Sequence, residues 1–267
     1  MPDTDTTSFE VIAHRCRGFS VPEQTPQAIA AALARGVRVH LETRLASDGR
    51  WVVIQGAPKG VSESALVARV HARSAAQSRS FALPVEHVLA IVAAHLPPGD
   101  EPILYLEVKD LGEERALVAS LTRMGLLERT VLLAWEPRIL ERAHKIAPRL
   151  RLGIAYAPLE RSLGGSRAAT HGVRPRKQVR LTYDPAQRFD ALPGIGVTPV
   201  HTLSDIASLP LYAVVVHALL CSHRLLDAAH ARGARVIAYG LPARLGLGVL
   251  ARRGVRGALV ERSGTLT

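Results

Sequence analysis

Short apolar runs alternate with Ala- and Leu-rich helical stretches along most of this chain, and that alternation restricts the folds it can adopt. Residues 9–14 form the first apolar run and predict a strand. The stretch 26–35 predicts a helix, because Thr25 is a good N-cap and Gly36 follows directly after the end. Repeated βα units are typical of a parallel sheet covered by helices on both faces. At 267 residues the chain matches one (β/α)8 barrel, which takes about 250 residues.

The predicted elements comprise eight barrel strands and one additional extended piece. The barrel strands are expected at 9–14, 37–45, 103–109, 130–135, 152–156, 213–217, 235–239 and 257–261. Helices are expected at 26–35, 84–95, 113–124, 137–146, 223–232 and 243–252. The turn Asp48-Gly49 leads from the second strand into an extended piece at 51–55, outside the barrel. We therefore predict an α/β protein, a (β/α)8 TIM barrel forming a single domain over residues 1–267. Residues 57–83 are a small insertion after strand 2, and 160–210 receive no clear assignment.

The composition bears on the class of ligand. Hydrophobic residues make up 48% of the chain and aromatic residues only 4%, so the core must consist of Ala, Val, Leu and Ile. The net charge of +11 would suit nucleic acid. However, no Lys/Arg block with interleaved aromatic residues occurs, so we expect a small anionic or phosphorylated substrate rather than a nucleic-acid partner.

The sequence also gives an expectation for the cellular compartment. The first eight residues are polar and lack a secretion signal, and no run of 18 apolar residues occurs. Cys16 and Cys221 offer neither a disulfide framework nor metal-type spacing. Cys16 is a buried, inert thiol or, alternatively, a thiol activated by neighbouring cations. We expect a cytoplasmic protein without a membrane span, and the oligomeric state stays open.

Polar residues stand at the ends of the first three predicted barrel strands. His14 and Arg15 end the first strand, His40 and Glu42 share one face of the second, and the third ends in Glu107 and Lys109. Catalytic residues of such barrels lie where the strands end. Buried carboxylates are costly unless paired or metal-bound, so the two Glu indicate a site. A lone His, such as His40 or His217, is usually a hydrogen-bonded core residue, and Lys109 or Arg15 could pair with the carboxylates structurally. Later strand ends supply Trp135, Tyr156, Tyr239 and Glu261.

The order of these motifs resembles the glycerophosphodiester phosphodiesterase family. That family opens with a strand ending His-Arg-Gly and a helix beginning Pro-Glu-Asn-Thr, and this chain reads His14-Arg15-Cys16-Arg17-Gly18 and then Pro22-Glu23-Gln24-Thr25. Asp48-Gly49, the extended piece 51–55 and Glu107-Val108-Lys109 fall in the family's register. The resemblance covers nearly the whole chain apart from 57–83 and 160–210.

The resemblance implies a site with several substitutions. In the family, three carboxylates hold a divalent cation and two His act as acid and base. Here the metal positions fall on His40, Glu42 and Glu107, and the second His falls on Gln55. The implied catalytic residues are His14, Arg15, Lys109 and Gln55, and the implied substrate-binding residues are Glu23, Trp135 and Tyr239. The cofactor would be Mg²⁺, Ca²⁺, Mn²⁺ or Zn²⁺, and an imidazole ligand favours Mn²⁺ or Zn²⁺ over Ca²⁺ or Mg²⁺.

Three hypotheses for the function remain open. The first is a hydrolase of lipid metabolism that cleaves a phosphodiester, with His14 as acid or base and Arg15 and Lys109 binding phosphate. The second is a barrel repurposed for another reaction on an anionic small molecule. The third is a non-catalytic binding or regulatory relative, because the chain departs from the family at five positions together, His40, Glu42, Gln55, Gly56 and Glu261.

Overall fold

The chain forms a closed barrel, seen in a computed structural model that describes residues 9–19, 22–56, 61–156, 203, 206–240 and 247–261. The strands are β1 Glu10–His14, β2 Arg38–Leu45, β3 Trp51–Ile54, β4 Ala82–Pro84, β5 Leu104–Val108, β6 Thr130–Ala134, β7 Arg151–Ala155, β8 Leu211–His217, β9 Arg235–Tyr239 and β10 Gly257–Val260. The helices are α1 Pro26–Ala34, α2 Glu63–Ala72, α3 Val85–Ala94, α4 Glu114–Arg123, α5 Pro137–Ile146, α6 His223–His230 and α7 Leu247–Arg252. Three short 3-10 helices lie at Ala76–Ser78, Leu127–Arg129 and Ala218–Leu220.

Eight of the strands close on themselves in parallel. β1 pairs with both β10 and β2, and the order then runs through β9, β8, β7, β6 and β5 back to β2. This confirms the predicted (β/α)8 barrel. β3 and β4 extend β2 as an antiparallel ribbon outside the barrel, as expected for the extended piece at 51–55. No helix within the described ranges is long and apolar enough to cross a membrane.

The weakly patterned stretch 57–83 contains more regular structure than its sequence indicated. Over its described part, 61–83, it holds the ten-residue helix α2 and most of β4. Leu66 and Val70 of α2 pack against Val52, Ile54 and Phe81 in a small core of their own. The unassigned stretch 160–210 and the start of the helix expected at 243–252 lie largely outside the described residues.

The barrel strands separate two apolar cores because successive side chains point to opposite faces. One set packs against the helices, and the other fills the barrel interior with residues such as Ile12, Leu133, Val215 and Ile237. Gly153 completes the interior packing, because a Cβ atom there would lie 2.5 Å from the side chain of Leu133.

A buried ion pair closes the end of the barrel at which the strands begin. Glu10 is 1% exposed, and its carboxylate accepts hydrogen bonds from the Tyr105 hydroxyl and from Arg235. Arg235 also lies over the ring of Tyr212, 4.9 Å from its centroid. The charge of Glu10 is therefore paired, as a buried carboxylate requires. In barrels of this kind the catalytic residues lie at the opposite end, where the strands terminate.

Candidate active site

Strand register brings the predicted polar residues together at the carboxyl end of the barrel. His14 of β1 stands beside His40 of β2, and their ring centroids are 5.1 Å apart. Glu42 of β2 stands beside Glu107 of β5. Because these positions share the inward face of adjacent parallel strands, the site is built on the rigid part of the fold.

Lys109 connects the two carboxylates. Its Nζ atom lies 2.5 Å from Oε1 of Glu107 and 3.5 Å from Oε1 of Glu42. Burial opposes the ionisation of both carboxyl groups, but Lys109 and the neighbouring His40 together outweigh it with other nearby groups, so the pKa of Glu42 and of Glu107 is lowered. Arg15 adds to the effect on Glu42. Both carboxylates are consequently charged at neutral pH.

His40 lies beneath the mouth of the pocket, with 1% of its surface exposed. Burial lowers the pKa of His40, which the hydrogen bond to Glu107 only partly opposes, so the ring is neutral. Its Nε2 atom donates to Oε2 of the Glu107 carboxylate over 3.1 Å. The lone pair of Nδ1 finds no hydrogen-bond partner among the described residues.

Arg15 projects into the site from a strained turn after β1. Arg15 and Cys16 both adopt the left-handed backbone conformation, with φ of 53° and 54°. Each such residue costs roughly 1–2 kcal/mol, and strain of this kind concentrates at functional sites. The buried guanidinium contacts three carboxylates, those of Glu23 at 3.1 Å, Glu63 at 3.0 Å and Glu42 at 3.7 Å.

His14 has a carboxylate partner that the sequence did not identify as functional. Oε1 of Glu261, directly after β10, lies 3.3 Å from Nδ1 of His14 and 3.2 Å from Nη1 of Arg17. The hydrogen bond from His14, together with Arg17, lowers the pKa of Glu261. Glu261 was noted only as a polar strand end, and Arg17 and Glu63 were missed as site residues. The pairing of β10 with β1 brings Glu261 to His14, whereas the position of α2 brings Glu63 to Arg15.

These side chains line a pocket of about 260 Å³ at the end of the barrel. Its polar wall includes His14, Arg15, Glu42, Glu107 and Lys109. The remainder of the described lining consists of Arg44, Glu63, Trp135, Ala155, Tyr156, Val215, Tyr239 and Leu259.

The predicted substrate-binding residues divide into two groups. Trp135 and Tyr239 line the pocket; Lys109 Nζ lies 3.9 Å from the centroid of the Trp135 ring, and the Tyr239 hydroxyl donates to the Tyr156 carbonyl over 2.9 Å. Glu23 is not among the lining residues and instead forms ion pairs with Arg15 and Arg17. Glu23 would therefore affect a substrate indirectly, by positioning Arg15.

Comparison with solved structures identifies the fold. A candidate glycerophosphoryl diester phosphodiesterase from Silicibacter pomeroyi is 18% identical with a TM-score of 0.63, over 97% of this chain and 92% of that chain. A glycerophosphodiester phosphodiesterase from Parabacteroides distasonis is 13% identical with a TM-score of 0.63, over 96% and 94%. The chain has the fold of the glycerophosphodiester phosphodiesterases. No protein-family model and no curated protein sequence matches it.

A third solved structure with this fold carries a ligand. It is an Oleispira antarctica phosphodiesterase in complex with the product sn-glycerol-3-phosphate, 14% identical with a TM-score of 0.59, over 94% of this chain and 92% of that chain. At such identities the likeness concerns the fold, so the site must be judged on its own residues.

Gln55 stands where the resemblance to the glycerophosphodiester phosphodiesterases places the second His. It follows β3, is half-buried, and its backbone N–H donates to the Phe81 carbonyl over 2.9 Å. It is not among the residues that line the pocket. The pocket thus brings His14, Arg15 and Lys109 together, and the predicted catalytic role of Gln55 stays a prediction.

Three neighbouring residues at this end of the barrel are suited to a divalent cation. His40, Glu42 and Glu107 each offer one ligand atom, and these atoms lie within 4.8 Å of one another. His40 is neutral, and Nε2, which lies 3.1 Å from Oε2 of Glu107, would be its ligand atom when the ring proton is on Nδ1. Two carboxylates and one imidazole suit Mn²⁺ or Zn²⁺ better than Ca²⁺, which prefers oxygen ligands.

Proposed function

We propose that this protein is a divergent phosphodiesterase that acts on a small glycerophosphodiester. The observation that carries the proposal is the convergence of one imidazole, two ionised carboxylates and two cationic side chains on a single pocket. The fold supports it, and so does the glycerol phosphate bound to the Oleispira antarctica neighbour. A pocket of about 260 Å³ has room for a ligand of that size.

His14 is the proton carrier in this proposal. Its Nδ1 atom faces Glu261, which leaves Nε2 as the nitrogen that exchanges a proton with a substrate oxygen. Glu261 is a positioning residue, since its carboxylate contacts Nδ1 and so orients the ring. Arg17 in turn holds Glu261 in place.

Arg15 and Lys109 bind the phosphoryl oxygens, and their charge offsets the charge that develops on those oxygens. His40, Glu42 and Glu107 would hold a divalent cation, which would supply further positive charge at the phosphoryl group. Trp135 and Tyr239 form the less polar side of the pocket, where carbon atoms of the alcohol groups would pack.

The second proton carrier of the family has no equivalent here, because the amide of Gln55 cannot transfer a proton near neutral pH. A glycerol hydroxyl next to the phosphoryl group would remove the need for an activated water, because it can attack phosphorus within the same molecule. The attack forms a cyclic phosphate and breaks the bond to the other alcohol, and His14 passes the proton of the attacking hydroxyl to the leaving oxygen. The proposal thus favours substrates with a free hydroxyl beside the phosphodiester.

The proposal is tested by a panel of phosphodiesters with and without such a hydroxyl, each supplied with Mn²⁺, Zn²⁺, Mg²⁺ or Ca²⁺. His14→Ala should abolish release of the alcohol yet retain metal binding, and Glu107→Ala should lose both. His87→Ala, a substitution of an exposed His on α3, is the matched control. Absence of turnover across the whole panel would refute the proposal.

One observation favours a second candidate, a metal-free barrel that binds or transforms another anionic small molecule. Lys109 already neutralises Glu42 and Glu107, as a bound cation would. A close Glu107–Lys109 pair can also serve as base and cation in chemistry at a carbonyl group. Calorimetry that detects no divalent metal binding, together with a co-purified anion, would favour this second candidate.

A further inference from the structure

The guanidinium of Arg15 is shared by three carboxylates that differ in their position in the fold. Glu42 belongs to barrel strand β2, and Glu23 lies in the loop after β1. Glu63 is the first residue of α2, outside the barrel. The side chains of Glu23 and Glu42 are 14% and 15% exposed, whereas that of Glu63 is 45% exposed. Only Glu63 approaches Arg15 from the more accessible side.

Glu63 also lines the pocket in which an anionic ligand would meet Arg15. Its Oε2 atom lies 3.0 Å from Nη1 of Arg15. A carboxylate oxygen and a phosphoryl oxygen bind a guanidinium in the same way. Glu63 therefore stands where a phosphoryl oxygen would bind to this face of Arg15.

We propose that Glu63 competes with the anionic ligand for Arg15, so that ligand binding requires its carboxylate to move away. This inference deepens the proposed function, because it assumes that an anion enters this pocket. Through Glu63, the helix α2 would directly affect the affinity of the pocket for the anion, although α2 lies outside the barrel.

The local structure allows such a movement at low cost. α2 is anchored through Leu66 and Val70, one and two turns away, so the Glu63 side chain can rotate without disturbing the packing. A carboxylate in the first turn of a helix remains favourable after it leaves Arg15, because the helix dipole attracts negative charge there. Glu23 lacks this freedom, since Arg17 also holds it.

The test measures the affinity for inorganic phosphate by calorimetry, without divalent metal, for wild type and for Glu63→Gln. Removing a half-exposed competing carboxylate should tighten binding about threefold to tenfold. Glu23→Gln is the matched control, because it removes the same charge from Arg15 but leaves the pocket-facing position unchanged. Its effect should be smaller than that of Glu63→Gln, and Arg15→Met should abolish the binding.

Equal or weaker phosphate binding by Glu63→Gln overturns the inference, and so does an equal gain in Glu23→Gln. Glu63→Ala is a second variant, because the new amide of Glu63→Gln could itself donate a hydrogen bond to phosphate. It should tighten phosphate binding as Glu63→Gln does. Turnover of phosphodiesters without any change in phosphate affinity would refute the inference and leave the proposed function standing. Tighter phosphate binding by Glu63→Gln without turnover of any phosphodiester would support the inference and refute the proposed function.

Discussion

The ammonium nitrogen of Lys109 lies 2.5 Å from a carboxylate oxygen of Glu107, and both side chains are almost completely buried. The same ammonium group lies 3.5 Å from Glu42. One buried ammonium group is thus shared by two carboxylates at the mouth of the barrel. The stability of the fold and the affinity for metal should both depend on this shared contact.

Lys109→Met should destabilise the protein by about 3–5 kcal/mol, because it leaves buried carboxylates without their cation. Saturating Mn²⁺ should restore more stability to this variant than to wild type, since no ammonium group has to be displaced. Urea unfolding with and without Mn²⁺ measures both effects. Lys145→Met, on the exposed surface of α5, is the control and should be neutral. Equal stabilisation of wild type and Lys109→Met by Mn²⁺ would argue against a shared cation position.

The free energy of unfolding should fall as the protein is acidified below about pH 4.5. The pKa values of Glu42 and Glu107 are lowered in the folded state, so the unfolded chain takes up protons first. The two carboxylates stabilise the folded state fully at a pH above their pKa in the unfolded chain. This stabilisation is lost as the pH falls towards their lower pKa in the folded protein. Glu107→Gln should reduce the slope by up to about 1.4 kcal/mol per pH unit, measured by urea unfolding across the acid range. Glu101→Gln, 64% exposed, should keep the wild-type slope.

Glu10→Ala should cost about 3–5 kcal/mol, because it leaves Arg235 and the hydroxyl of Tyr105 without their acceptor. Glu101→Ala offers a close comparison, since Glu101 lies 3.7 Å from the same Arg235 but is largely exposed. That variant should lose less than about 1 kcal/mol. Chemical unfolding distinguishes the two, and similar losses would mean that burial does not set the strength of this pair.

Cys16 should be inert in the folded protein. Burial raises the pKa of its thiol to about 12, despite the neighbouring Arg15 and Arg17. At pH 8 about one thiol in ten thousand would be ionised, so DTNB should not react until the protein unfolds. Cys221→Ala isolates the signal of Cys16, and one equivalent should react in guanidinium. Rapid reaction of this folded variant would contradict the burial of the thiol.

The barrel could be predicted from sequence because its elements have strong local signals. The helix Pro137–Ile146 and the strand Arg235–Tyr239 were predicted with the bounds that the structure shows. α2 was missed because only Leu66 and Val70 are buried on it, too few for a recognisable helical period. Its place is determined by packing against the ribbon of β3 and β4, which a local pattern does not record.

The site could be predicted in part for the same reason. Residues two apart on a strand share a face, so His40 with Glu42 and Glu107 with Lys109 followed from spacing. The contacts of Glu261 with His14 and of Glu63 with Arg15 join residues 247 and 48 positions apart. Such contacts depend on how the barrel closes and on the turn at Arg15, and neither has a local signature.

The ribbon of β3 and β4, which continues β2 beyond the barrel, affects how the ligand preference of this protein can change in evolution. The helix that bears Glu63 is attached through β3 and β4 and has its own small core, so it is a replaceable module on an otherwise constant scaffold. Exchange of this module for one from another barrel of the same fold would alter which ligands are admitted while the reacting groups stay in place. Ligand preference can therefore diversify here while the main core of the barrel, a separate cluster, keeps its residues.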